Sequence, residues 1–396
     1  MRLFLNGLAA SAGAGLTYLR NVIPEISKRP GLHTTIALDS ELQREFDGFA
    51  NISFVNLPSP RGAIPRFWRE QMDLYGIIED NSADVLISAG NFALRNSPVP
   101  QILLSGNSLY TSNDFIADLR CRRDYRLLAD TYFKGVFAKR SLAWADCTVA
   151  PTEAFAEELS AWTGTRVSAI HHGFDHERFF KDPGPLPTRI QAKLDASGQP
   201  IRLLFVSHYN YYRNFETLLR ALPIIQKKLG SRQVKLFLTC KLISRENPGA
   251  YQAEAAASLV RKLNIADSVV ELGAVPYELL HHVYSWCHIY VTAAYAESFA
   301  HPLVEAMSSG LPVVASDLRV HREVCGDAAL YFDRFSAEEL AAQVQRVASS
   351  RELASGLAAR GRTRSQHFSW SAHVEQMLAL ACSLLDSDKK TSELAL

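Results

Sequence analysis

Along the chain, short runs that are apolar throughout alternate with stretches in which apolar residues recur every three or four positions. In the first half RLFLNGL, HTTIALD, ISFVNL, DVLISAG, QILLSG, CTVAPT and VSAIHHG read as strands. Runs that are apolar along their whole length fit strands buried on both faces of a parallel sheet. Between them LTYLRNVIPEISK, RFWREQMDLYGIIEDN and the long stretch 114–145 carry helical periodicity. Pro183, Pro185, Pro187 and Pro200, with Gly184 and Gly198, break the rhythm and predict a linker over 181–200. It then restarts, with IRLLFVSH, VKLFLTC, VVELGAV, HIYVTAAY and LPVVASD as strands and helices over 215–229, 250–263, 276–286 and 302–309. Further helical patterns and a polar tail close the chain. This alternation predicts an α/β protein of two Rossmann-like, doubly wound domains: 1–180, the linker 181–200, 201–375, and 376–396 as a C-terminal helix and tail. Ligands of such folds lie beyond the carboxyl ends of the strands, so the expected site is a central cleft that the two domains face.

Composition narrows the class. Of 396 residues, 47% are hydrophobic and 21% charged, which is the make-up of a globular chain with ample core material. The net charge of +1 creates no global field for nucleic acid. Six cysteines show no close pair at metal-ligand or redox spacing, which fits reduced thiols of a cytoplasmic protein. The apolar start is interrupted at Asn6 and Gly7, so it reads as a strand and not as a targeting segment. No run approaches the roughly 20 apolar residues of a membrane span. The pairs His171–His172 and His281–His282 are expected to point apart, and no metal site is expected.

Candidate chemistry gathers in four places. Beyond the strand HIYVTAAY, the loop AESFAH leads into a helix opened by Pro302 and closed by Gly310. Glu297 lies in that loop and Glu305 about one turn into the helix. The amides near Phe299 and Ala300 and the positive helix end make an anion seat between the two carboxylates. A ligand anionic at its centre and rich in hydroxyls at both ends, such as a nucleotide-sugar, fits this pattern. Glu305 by itself also reads as a plain complement to the helix dipole. In FVSHYNYYRNFETLL, His208 and Arg213 sit between a strand end and a helix beginning near Asn214, where a guanidinium can grip phosphate in two-pronged fashion. The loop GLAASAGAGLTYL carries Gly7, Gly13 and Gly15 but not the dinucleotide-binding spacing, so a phosphate approach and an ordinary turn are equally good readings. Finally, the basic stretch 120–140, with Tyr132 and Phe133 among its apolar residues, reads either as a solvated helix face over a core stripe or as a membrane-surface contact.

The stretch ESFAHPLVEAMSSGLPVVASD closely resembles the signature of retaining glycosyltransferases of family four, in which seven residues separate two glutamates. The likeness extends through GFDHERF (173–179), RNFETLLRAL, ELGAVPYELL (271–280), REVCGDAALYFD (322–333) and HFSWSAHVEQML (367–378). It covers nearly all the second domain and the first only loosely. The resemblance implies the GT-B fold and a metal-independent transfer from a nucleotide-diphosphate sugar, a co-substrate, with no cofactor. By that resemblance Glu297 contacts the donor sugar and Glu305 the ribose. The amides of Phe299 and Ala300, with Leu303 beside them, meet the diphosphate, and the backbone at Ala274 and Val275 meets the base. Arg213 stands where the family usually has lysine, and His208 where it usually has arginine. Gly13 and Gly15 approach the phosphates from the first domain. Asn107, near where family members often carry a histidine, and His301 fall on the sugar and acceptor side. The expected acceptor is a glycan or lipid-linked hydroxyl in surface polysaccharide or lipopolysaccharide assembly, with peripheral membrane contact through 120–140. Other GT-B chemistry, as in nucleotide-sugar epimerases or phosphorylases, and a non-catalytic nucleotide-sugar or glycan-binding protein are the alternatives.

Overall fold

The apolar runs assemble into two sheets that are parallel throughout. The computed structural model describes every residue except 11–13, 47, 50, 58–61, 248, 250 and 395–396. The first sheet contains β1 (Arg2–Asn6), β2 (His33–Leu38), β3 (Ile52–Asn56), β4 (Val85–Ser88), β5 (Gln101–Leu104), β6 (Cys147–Ala150) and β7 (Val167–Ala169), in the order β3-β2-β1-β4-β5-β6-β7. The second contains β8 (Ile201–Phe205), β9 (Val234–Leu238), β10 (Val269–Glu271), β11 (Ile289–Thr292), β12 (Val313–Ser316) and β13 (Ala329–Phe332), in the order β10-β9-β8-β11-β12-β13. In both orders the chain reverses direction across the sheet beside its first strand, the doubly wound pattern. Each strand run named from the sequence is present. The run ALYF of β13, too short and too closely framed by helices to stand out alone, is an additional strand.

The chain divides into two compact units. The first is Met1–Thr111, Tyr125–Gly173 and Ser369–Leu396, and the second is Ser112–Asp124 and Phe174–Phe368. In the first, successive residues of β1 feed opposite layers. Leu3 and Leu5 pack with Leu19 and Ile23 of the helix Ala14–Ser27 and with Trp370 and Val374 of the closing helix Trp370–Leu394. Phe4 packs on the other face with Leu74 and Ile78 of the helix Ala63–Asp80. Residues expected as a polar tail thus continue a helix as far as Leu394. In the second unit Phe205 of β8 meets Phe215 at a ring-centroid distance of 4.9 Å, and both are fully buried.

Three segments depart from the periodicity. The stretch 114–145 is two helices, Asn113–Cys121 and Tyr125–Trp144, broken where Arg123 takes φ 57°. The first helix belongs to the second unit and the other to the first. Residues 181–200, expected as a linker, hold the helix Thr188–Asp195, whose Ile190 and Leu194 are buried within the second unit. His281 and His282, expected to point apart, have ring centroids 4.0 Å apart at the start of the short helix Leu280–Trp286. His282 Nε2 lies 3.3 Å from Asp182 Oδ1, which draws the second imidazole round toward its neighbour. Among the described residues, no helix is long and apolar enough to cross a membrane.

Candidate functional site

Because the second sheet is parallel, the carboxyl ends of its strands all emerge on one side, and the candidate residues of this unit lie there. After β8, residues 206–214 run through a short 3-10 turn, Tyr211–Arg213, to Asn214, which adopts φ 53° and ψ 50°. Asn214 stands at the helix cap position, but its Oδ1 accepts from Thr217 Oγ1 (2.9 Å) while its Nδ2 donates to the Arg334 carbonyl (2.6 Å). After β11, the chain turns at Ala300, in the left-handed region with φ 68°, and enters the helix His301–Ser308, which has Pro302 in its first turn. Gly310 ends this segment at φ 72°. A Cβ at Gly310 would also collide with the Arg362 guanidinium.

These two loops bring Arg213 and Glu297 together as an ion pair. The pair is largely withdrawn from water, with side-chain exposures of 19% and 9%. Arg213 also lies over the Tyr212 ring at 5.2 Å, and its Nε makes no hydrogen bond. His208 is exposed in the same loop. Shielding from water by the surrounding loop and the nearby Arg213 charge both hold its pKa below the ordinary histidine value. Glu305 is buried, and its Oε2 accepts from the Tyr284 hydroxyl at 2.8 Å. Burial raises its carboxyl to about pKa 7 against the opposing effect of that hydrogen bond. Phe299 is buried with its ring against His301 (4.7 Å) and Phe368 (5.3 Å). Leu303 is buried beneath it in the helix, its amide donating to the Ala300 carbonyl at 3.0 Å. Burial pulls His301 down to about pKa 4, so it is neutral near pH 7. Val275 is half-buried in the loop that follows β10.

One further residue belongs with this group. His321 is fully buried in the helix Arg319–Cys325, which follows β12. Its Nδ1 lies 3.1 Å from the Ser316 carbonyl. A carbonyl only accepts, so Nδ1 carries the proton and Nε2 keeps a lone pair. Nε2 is buried without a hydrogen-bond partner. Burial chiefly lowers this histidine to about pKa 4, and the positive charge of Arg213 adds to the effect. A lone histidine in LRVHREVC gives no sequence signal that it is buried beside Arg213.

The loops are braced from a segment distant in the chain. Arg122 donates through Nε to Asp118 (2.8 Å) and through Nη2 to Glu216 (2.9 Å), and its guanidinium lies 4.3 Å from the centre of the Tyr211 ring. The Tyr295 hydroxyl donates to the other oxygen of Asp118 at 2.6 Å, and the Tyr295 amide donates to the Tyr212 carbonyl at 3.0 Å. The helix Asn113–Cys121 and its cap residue Arg122 therefore hold both the loop that carries Arg213 and the loop that carries Glu297.

Gly13 lies outside the described residues. Gly15 is in the first turn of the helix Ala14–Ser27, where a Cβ would stand 3.2 Å from Ala10 Cα, so a close turn suffices to explain a glycine there. Asn107 caps the 3-10 turn Ser108–Tyr110, its Oδ1 accepting from the Leu109 amide at 3.1 Å. Gly15 and Asn107 belong to the first unit, and Arg213 and Glu297 to the second.

Residues 188–364 match the family model described as Glycosyl transferases group 1. The chain is 37% identical to O-antigen chain mannosyltransferase B of Escherichia coli over 110 residues, 27% of this chain and 28% of that protein. It is 28% identical to D-inositol 3-phosphate glycosyltransferase of Nocardia farcinica over 186 residues, 46% of this chain and 39% of the relative. Mannosylfructose-phosphate synthase of Agrobacterium fabrum is 24% identical over 276 residues, 65% and 59% of the two chains. The matched part thus spans less than two thirds of the length of each of these relatives. Among solved structures, sucrose-phosphate synthase from Thermosynechococcus elongatus superposes with a TM-score of 0.74 at 18% identity, over 98% of this chain and all of the other. Anabaena HepE, solved in complex with UDP-glucose, gives 0.70 at 15% identity over 97% and 99% of the two chains. WaaG, a glycosyltransferase involved in lipopolysaccharide biosynthesis, gives 0.66 at 14% identity over 96% and 99%. At these identities the structural likeness establishes the fold.

Proposed function

We propose that this chain, which belongs to the group 1 glycosyl transferases and has the GT-B fold, moves a sugar from a nucleoside-diphosphate sugar to a hydroxyl acceptor with retention at the anomeric carbon. The observation that carries this reading is the Arg213–Glu297 pair beside the amino end of the helix His301–Ser308. A cation, a hydroxyl-binding carboxylate and a positive helix end within one set of loops suit a ligand with a diphosphate next to a sugar.

In this mechanism the bond between the anomeric carbon and the diphosphate oxygen lengthens, and negative charge grows on the departing diphosphate. Arg213 and the amides at the start of the helix meet that charge with donors already in place, so little reorganisation is needed as it develops. His208 contributes a hydrogen bond, and gains a proton more readily once the diphosphate lies beside it. Glu297 holds sugar hydroxyls and fixes the ring for attack. Glu305, its other oxygen already engaged by Tyr284, receives the ribose hydroxyls, whose donors favour its ionised form. The acceptor hydroxyl attacks from the face the diphosphate leaves and passes its proton to the departing phosphate. Positive charge for the leaving group comes from the chain itself, so EDTA should leave turnover unchanged. The similarity to an O-antigen mannosyltransferase supports a surface-glycan acceptor and a hexosyl donor.

The test is donor binding and transfer by the full chain with a panel of nucleotide-sugars. Glu297→Ala and Arg213→Ala should each cut transfer by about 100-fold or more, the scale of losing one transition-state contact, with cooperative unfolding retained. Full transfer by both variants would sink the assignment. Donor binding without transfer to any acceptor would favour a binding protein, and donor turnover without acceptor an epimerase-type reaction.

A further inference from the structure

The two imidazoles that the sequence expects to point apart meet a carboxylate from a distant segment of the second unit. Asp182 follows the helix His176–Phe180, while His281 and His282 lie in the first turn of the helix Leu280–Trp286. Asp182 and His282 are 100 residues apart in the chain, and both segments belong to the second unit. One nitrogen from each histidine and one oxygen from Asp182 all lie within 4.8 Å of one another. His282 Nε2 stands 3.3 Å from Asp182 Oδ1, and the two imidazole centroids are 4.0 Å apart. Among the described residues, no other three side chains of histidine, cysteine, aspartate or glutamate come together in this way.

An ordinary ion pair accounts for His282 and Asp182 but leaves out His281. That residue is 8% exposed, and its Nδ1 is buried without a hydrogen-bond partner. A buried polar atom with no partner is costly unless something else engages the ring. Zinc held at about 2.0 Å by tetrahedrally placed atoms keeps those atoms about 3.3 Å apart. The His282–Asp182 separation already has that value, so only the His281 ring has to adjust. The rings of Phe179 and Phe180, each 6.2 Å from His281, wall it in and limit its swing. Asp182 is held as well, its Oδ1 accepting from the Gly184 amide at 2.9 Å, the support that a ligating carboxylate commonly has. Asp182 is exposed and His282 half-buried, so an ion can enter from solvent. Two imidazole nitrogens and one carboxylate oxygen suit zinc, whereas magnesium and calcium favour oxygen ligands throughout.

We propose that Asp182, His281 and His282 form a zinc site, with water in the fourth position, which ties the segment after the helix His176–Phe180 to the helix Leu280–Trp286. Tyr284, one turn beyond His281, donates to Glu305 at 2.8 Å, and the Phe179 ring packs against it at 5.9 Å. The ion therefore braces both segments that support the side chain holding Glu305. No step of the proposed transfer passes through the ion, so its removal shows in stability and not in turnover at the assay temperature. The inference stands apart from that reaction, because it is measured with no sugar present.

The experiment is zinc titration of the full chain after treatment with EDTA and dialysis, read by competition with a chromophoric zinc chelator and by thermal melts. The wild type should bind one zinc per chain. Zinc at about a hundredfold excess over its Kd should raise the melting temperature by about 5 °C or more. EDTA should reverse that gain, and magnesium should not produce it. Cobalt in place of zinc should give the strong visible absorption of a four-coordinate site. Asp182→Asn and His282→Gln change side chains that reach water, so both variants should fold and melt close to the wild type without metal. Each should weaken zinc binding by about tenfold or more. Wild-type protein that binds zinc only at millimolar concentration, or whose melt zinc does not shift, would overturn the inference. Binding that both variants leave unchanged would also overturn it, placing the metal elsewhere, and equal stabilisation by magnesium would overturn the choice of zinc.

Discussion

At Glu305 burial and a hydrogen bond pull in opposite directions, and burial wins, lifting the carboxyl from 4.5 to about 7. Between those values the folded chain keeps a proton that the unfolded chain has lost, so this group's contribution to stability falls as pH rises from about 4.5 to about 7 and stays low above. Glu305→Gln should therefore leave the melting temperature nearly unchanged near pH 4.5 and raise it relative to wild type near pH 8, while donor affinity drops; thermal melts across this range check it. His208 offers a second pH test. Its free-protein pKa is depressed, and a bound diphosphate would raise it, so donor binding takes up a proton and tightens as pH falls through the usual histidine range. His208→Ala should remove that dependence in donor titrations. Glu297, Arg213 and His208 could be picked out as candidates because each follows a strand end in a loop leading to a helix, and Glu305 because it lies in the helix that the Glu297 loop opens. His321 could not, since nothing local to a single histidine reports the Ser316 contact or the nearby guanidinium.

Among elements, the helix Asn113–Cys121 shows how far local pattern misleads. Its periodicity runs on into the next helix, so the sequence reads as one long element. Its partners are set by contacts across 94 residues to Glu216 and 177 residues to Tyr295. Arg122 gathers two acids and a tyrosine ring, and cutting it away leaves Glu216, whose Oε2 already lacks a partner, without its cation. Arg122→Met should cost about 3 kcal/mol, toward the low end for breaking a buried pair because the side chain keeps some exposure. It should also loosen both site loops, lowering kcat more than a change in stability alone would do. Arg122→Lys retains charge but cannot span both acids, so it should recover only part of either loss. Melting temperature and steady-state kinetics on the same preparations separate the two effects. At the other end of the site helix, Gly310→Ala meets a left-handed backbone and the Arg362 side chain together, and should destabilise by more than about 1 kcal/mol in denaturant melts.

At the scale of the whole molecule, a donor that binds only the folded chain should raise the unfolding free energy by about 2.7 kcal/mol at a hundredfold excess over its Kd. Hydrogen exchange should localise the protection to 206–214 and 293–303, the two loops around Arg213 and Glu297, and protection confined to the first unit would contradict the proposed site. The sequence by itself determined two parallel α/β sheets, because strands buried on both faces must be apolar at every position and cannot be mistaken for amphipathic ones. It also determined the loop that carries Glu297 and the helix start after it, since proline and glycine act on their own backbone. Only the tertiary structure decided which unit owns residues 112–124 and 369–396 and that 181–200 carries a buried helix. Only there, too, did Glu305 become a buried acid and Trp68 and Tyr132 become exposed aromatics. The difference is physical: periodicity reports whether a residue has an apolar side to hide, while the chain's distant parts decide what is present to hide it against.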